Sequence, residues 1–197
     1  MVGQALRPRK YDRYARVRKA WAAQLLPLTE QLEMHPADIS QEEWANLLEQ
    51  TYPVHPSVLI ALPLLFRQLA QNERSLFAFL SSQEPWSLQD VLLTTKPAQK
   101  ELPIYRLPHL YAYVEAALGA SLFAHARGRR WAELAESLVR VPDLDAVAQE
   151  VLTAIGTLNA LGQIHTLRAS TSFVSFALRD TLDAPDVMSG LEQLRTR

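Results

Sequence analysis

The chain of 197 residues has no cysteine, and that absence excludes disulfides, thiolate nucleophiles, zinc ribbons and iron–sulfur ligation. Glycine is scarce, and none of the six falls in a phosphate-cradling loop: neither Gly-x-x-x-x-Gly-Lys-Ser/Thr nor Gly-x-Gly-x-x-Gly occurs. His-Glu-x-x-His and Gly-x-Ser-x-Gly are missing as well, and the histidines His35, His55, His109, His125 and His165 show no metal-ligand spacing. No metal site and no self-contained active site is therefore expected. The longest apolar run, Val58 to Phe66, is far below the ~20 residues of a membrane span, and no apolar leader opens the chain. The expectation is a cytoplasmic protein with no membrane partner.

Charge is nearly balanced over the whole chain but unevenly spread. Residues 1–20 carry Arg7, Arg9, Lys10, Arg13, Arg16, Arg18 and Lys19 against Asp12, a local excess of six; the stated total of −1 leaves −7 for the remainder. Arg7, Arg9, Lys10, Arg13 and Arg16 are the candidates for contact with nucleic acid or an acidic protein partner. A solvated helix face accounts for them equally well.

Apolar periodicity predicts a mainly helical chain. Tyr14, Val17, Trp21, Leu25, Leu28 and Leu32 form one stripe, which Pro27 is expected to kink or split. Ser40-Gln41-Glu42-Glu43 reads as a capping box opening a short helix. Pro56 begins the next, whose face runs from Val58 to Leu69, and His55 and His109, each beside a proline at a helix start, suit local capping. Ser87 caps a further start. The polar stretch Thr94 to Pro103 is the best linker. Beyond it come three helices, a small β-hairpin around Gln163 to Ala169 and a helix capped by Ser170, with a weak helix or coil after Asp180. Helix, helix, helix, hairpin, helix suggests a winged-helix-like module. Its third helix, Asp143 to Leu161, carries Asp143, Asp145 and Glu150 and no cation, which speaks against DNA reading. Arg127, Arg129 and Arg130 suit a solvated loop. The expected organisation is a basic segment and helix over 1–36, a helical lid-like bundle over 37–96, the winged-helix-like module over 104–182 and a tail over 183–197.

One corner breaks a local rule. If Asn72 caps the helix that buries Leu76, Phe77, Phe79 and Leu80, then Arg74 is a cation in its first turn, against the helix dipole. A helix N-terminus plus a guanidinium is also a good phosphate site. An ion pair with Glu73, Glu84 or another carboxylate explains the arginine without a ligand.

Gln71-Asn72-Glu73-Arg74-Ser75-Leu76-Phe77-Ala78-Phe79-Leu80 resembles the sensor-2 segment of AAA+ ATPases, in which a polar turn presents an arginine at the start of a lid helix. Together with Tyr52-Pro53-Val54-His55-Pro56, Leu110-Tyr111-Ala112-Tyr113, Val151 to Gly162, Leu167-Arg168-Ala169-Ser170 and Ala177-Leu178-Arg179-Asp180, it resembles large bacterial P-loop ATPases of the AAA+/STAND kind, including those of BREX-type phage-defence systems. The likeness is patchy but in order over roughly residues 45–180. It implies a nucleotide-binding core with Walker motifs, and this sequence has neither. The chain then corresponds to the lid and winged-helix region C-terminal to such a core, as a fragment or as a stand-alone relative. It is not expected to be an enzyme by itself and needs no cofactor alone; ATP and Mg belong with the P-loop core, in cis or in trans. On that implication Arg74 and Asn72 are the nucleotide-sensing pair. The alternative is a stand-alone helical module that binds protein or nucleic acid through its basic head.

Overall fold

The computed structural model describes residues 14–68, 73–95, 102–119, 128–162, 164 and 166–196, apart from the side chains of residues 73–75 and 118. The fold is mainly α: among the described residues there are ten helices and no strand. The first five are α1 (Ala15–Gln31), α2 (Gln41–Thr51), α3 (Pro56–Gln68), α4 (Glu73–Ser81) and α5 (Leu88–Thr94). The second five are α6 (Leu107–Tyr113), continued by a π-helical turn over Val114–Leu118, then α7 (Arg129–Arg140), α8 (Ala146–Leu161), α9 (Thr171–Ala177) and α10 (Ala184–Arg195).

Helix starts agree with the sequence signals. Ser40 caps α2 in a complete capping box with Glu43, and this contact holds the Glu43 carboxyl below its usual range. Ser87 and Ser170 accept the backbone N–H three residues on, at the starts of α5 and α9; α8 starts later than the expected Asp143, at Ala146, with Asp145 as its cap. Pro27 does not split α1. The carbonyl it deprives of a donor belongs to Ala23, and both residues are exposed, so water can serve that oxygen. Likewise α3 passes unbroken through Pro63, on its exposed side.

A single apolar cluster runs from Ala22 on α1 to Val187 on α10. Trp44 of α2 is buried against α1, its indole N–H donating to Thr29 Oγ1 at 3.0 Å. Phe79, wholly buried, fixes α4 by edge-on packing against Tyr105 and Tyr113, with centroids 5.3 and 5.2 Å apart. The α7–α8 crossing is so close that a Cβ on Gly156 would sit 2.2 Å from a Leu134 methyl.

Two expectations change. Around residues 163–169 there is one isolated antiparallel bridge, Ile164 to Leu167, and not a hairpin of strands; residues 163 and 165 lie outside the described part. The alternating pattern there is too short to build a ladder. The expected weak tail is instead α10, opened by an Asp183–Asp186 capping box and Pro185. Gly190 admits it to α8: a Cβ there would stand 3.0 Å from Val151 Cγ2 and 3.4 Å from the Ala148 Cα. Exposed polar residues on the outer face hide this packing stripe from a reading of periodicity alone.

Candidate functional site

Two regions are candidates: the end of α3 with the described part of α4, and a buried polar seam. Helix α3 ends at Gln68, whose side-chain amide donates to the carbonyls of Leu161 (2.6 Å) and Ala160 (3.2 Å) at the C-terminus of α8. Those are last-turn carbonyls without helical donors, so one glutamine ties the end of α3 to the second half of the chain. The backbone of Arg74 lies in α4. The Arg74 side chain and all of Asn72 lie outside the described residues, as do Arg7, Arg9, Lys10 and Arg13; Arg16 is exposed on α1.

The seam begins with the turn between α2 and α3, where the Tyr52–Pro53 peptide is cis. Val54 and Tyr105 form an isolated parallel bridge: His55 N donates to Tyr105 O and Tyr105 N to Pro53 O, both at 2.9 Å. Leu102 N donates to the Tyr52 hydroxyl at 2.8 Å. The chain leaving the first helices is thus stitched to the chain entering α6.

His55 is wholly buried, its ring centroid 4.7 Å from that of Phe176. Burial, and then the nearby Arg106 and Arg179 cations, hold its pKa well below the ordinary value, so the ring is neutral. Its Nδ1 accepts the Ser57 backbone N–H at 3.3 Å and lies 2.8 Å from Ser57 Oγ, which assigns the proton to Nε2. His109 Nδ1 accepts the Arg106 N–H at 3.1 Å, and burial with the Arg106 charge holds His109 down to about 4. The capping role expected of both histidines is what their contacts describe.

Arg106 is the side chain the sequence did not point to. It is almost wholly buried, and its Nη2 donates to the Arg179 carbonyl and, at 3.2 Å, to Asp180 Oδ2. Its Nε and Nη1 have no partner among the described residues, nor do His55 Nε2 and Glu150 Oε2. Burial lowers the Arg106 pKa, opposed by Asp180 and Glu150; burial raises the Glu150 pKa, opposed by Arg106. The guanidinium remains charged under any physiological condition and latches the start of α6 to the α9–α10 turn, where Asp180 takes a left-handed φ of 69°. Its partners lie more than seventy positions along the chain, which is why no local pattern announced it.

Chemically this seam is structural. Its histidines are neutral and enclosed; Ser57 Oγ does stand 2.8 Å from His55 Nδ1, but both side chains are wholly buried, so no substrate reaches the hydroxyl. Among the described residues no group of three or more His, Asp or Glu could hold a metal. Arg129 and Arg130, expected in a solvated loop, lie in the first turn of α7; Arg129 pairs with Glu133 at 2.9 Å and Arg130 donates to the Asn159 carbonyl at 3.1 Å, and Arg127 lies outside the described residues. No described helix is long and apolar enough to cross a membrane. Comparison with family models, curated proteins and solved structures finds no match.

Proposed function

We propose that this chain is the non-catalytic helical region C-terminal to the nucleotide-binding core of a P-loop ATPase, with Arg74 as a sensor-2-type arginine. The observation that carries the reading is that the backbone of Arg74 lies in α4, Glu73–Ser81, next to the polar sequence Gln71-Asn72. There the helix dipole and a guanidinium act together on a phosphate supplied by the neighbouring core. The cation neutralises charge that grows on the transferred phosphoryl group, and Asn72 caps and orients the helix. ATP and Mg are held by the core, in cis or in trans. In this reading α6 to α9 make up the winged-helix-like module, with no strand for a wing among the described residues and only the Ile164–Leu167 bridge in its place.

Gln68 gives the end of α3 a mechanical route. A shift of α4 driven by nucleotide state pulls on the end of α3, and Gln68 passes that pull to the end of α8. The test joins this chain to a P-loop core and compares Arg74→Ala with the parent. Turnover should drop by about ten- to a thousandfold; unchanged ATP affinity and turnover would sink the assignment. A second reading, a helical module that binds nucleic acid or an acidic protein, draws on the exposure of Arg16 and Lys19 on α1. It calls for a salt-sensitive DNA mobility shift that disappears when residues 1–20 are deleted.

A further inference from the structure

Trp86 stands in the wrong backbone conformation for its type. It occupies the third position of the turn Glu84-Pro85-Trp86-Ser87, closed by Ser87 N donating to Glu84 O at 2.9 Å, with φ of 63°. Proline at the second position and a left-handed third residue are the marks of a type II turn, whose third position favours glycine. A bulky residue there is strained. Three contacts hold it nevertheless. Trp86 N donates to Asp90 Oδ2 at 2.8 Å, the Tyr105 hydroxyl donates to Trp86 O at 2.7 Å, and the indole lies near-parallel (23°) to the His109 ring at a centroid distance of 6.4 Å. The strain does not serve burial, because Trp86 is 47% exposed.

The surroundings state what the indole faces. The α4–α5 hairpin also exposes Phe77 and Leu93, and from Leu76 to Thr95 the sequence holds Glu84 and Asp90 and neither lysine nor arginine. Glu84 is exposed beside Trp86 in the same turn. Arg74 and Lys96 flank this stretch in sequence, with their side chains outside the described residues. The Glu84 carboxylate accepts from the Tyr113 hydroxyl at 3.4 Å, with its other oxygen left for a ligand. The exposed indole beside an exposed carboxylate suits a basic, partly apolar peptide segment. We propose that Trp86 is the anchor of a docking surface for an arginine-bearing segment of a protein partner, the guanidinium stacking on the indole and hydrogen-bonding Glu84. This surface is independent of the ATPase reading.

The test tracks the Trp86 indole N–H signal of 15N-labelled protein, assigned by its loss in Trp86→Gly. The probe is an acetylated, amidated Leu-Arg-Ala-Leu-Arg-Ala peptide, with its citrulline analogue as the uncharged control. The arginine peptide should shift the signal saturably, and the analogue and Glu84→Gln should each weaken binding about three- to thirtyfold. Trp86→Gly should remove peptide binding, monitored at other amide signals, while raising the melting temperature, because glycine relieves the turn. That pairing separates a binding residue from a structural one. A lowered melting temperature for Trp86→Gly, or an indole signal that responds to oligothymidine and not to the peptide, overturns the proposal.

Discussion

Gly156→Ala tests whether the α7–α8 crossing is as tight as its geometry says. The added methyl would lie 2.2 Å from Leu134 Cδ1 and 2.9 Å from both Cγ and Cδ2, so the whole isobutyl group must move and not its tip alone. Overpacking of this kind costs about 1–3 kcal/mol. Against it stands the gain of about 1 kcal/mol from replacing glycine by alanine within a helix. Leu134 also borders a groove of about 690 Å³ between α7 and α8, into which it can partly swing, and this favours the lower half of the range. The net expectation is a loss of about 0.5 kcal/mol and at most about 1, or roughly 1–4 °C in melting temperature for a chain of this size. Urea and thermal denaturation of Gly156→Ala, Leu134→Ala and the double variant form a cycle. The double variant should lose about 1 kcal/mol less than the two single losses combined, because alanine at 134 vacates the space that the new methyl needs. A Gly156→Ala protein that melts higher than the parent, with coupling below about 0.5 kcal/mol, would refute the close approach.

Acidification should destabilise the fold through its capped histidines. His109 falls from 6.5 to about 4 on folding and His55 shifts the same way, so their contribution is complete above about pH 6.5 and is lost as pH falls toward 4. For His109 the span of about 2.5 units corresponds to at most about 3 kcal/mol. Glu150, raised on folding, works in the opposite direction as pH falls, and offsets part of the loss. Urea midpoints measured from pH 7 to 4.5 should decline, and His109→Asn should flatten the decline; a flat parent profile would contradict the enclosure of these rings. Thr29→Val should cost about 1–3 kcal/mol by stranding the buried Trp44 indole N–H; Trp44→Phe carries its own cavity cost, and the double variant should lose less than the two single losses combined. Equal urea midpoints for parent and Thr29→Val would dismiss that hydrogen bond as a stabilising contact.

Helix existence and type are legible in the sequence because apolar spacing and capping residues agree. Ser40 with Glu43, Pro56, Ser87 and Ser170 mark helix starts that the structure contains. The last helix is harder to read because its decisive residue is Gly190, which contributes by lacking a side chain where α8 comes close. Among the described residues the expected hairpin is a single bridge, because a few alternating residues have no neighbouring strands to pair with. Within the candidate region, His55 and His109 can be read as caps because their helices lie next to them in sequence. Arg106, Gln68 and the strained turn at Trp86 cannot: the first two act on residues more than seventy positions away, and backbone sign is invisible in a residue name.

The stitching of Tyr52–His55 to Leu102–Arg106 has a consequence for how the molecule can respond to force. A bundle joined only by a flexible tether would let each part swing alone. Here the tether's far end is sewn to the α2–α3 turn, Arg106 clasps the α9–α10 turn, and Gln68 clasps the end of α8. Torque applied at the end of α3 therefore reaches the end of α8 and the start of α6, and Arg106 carries it on to the α9–α10 turn. Such a body transmits rotation as a lever does and has little freedom to absorb it as internal bending.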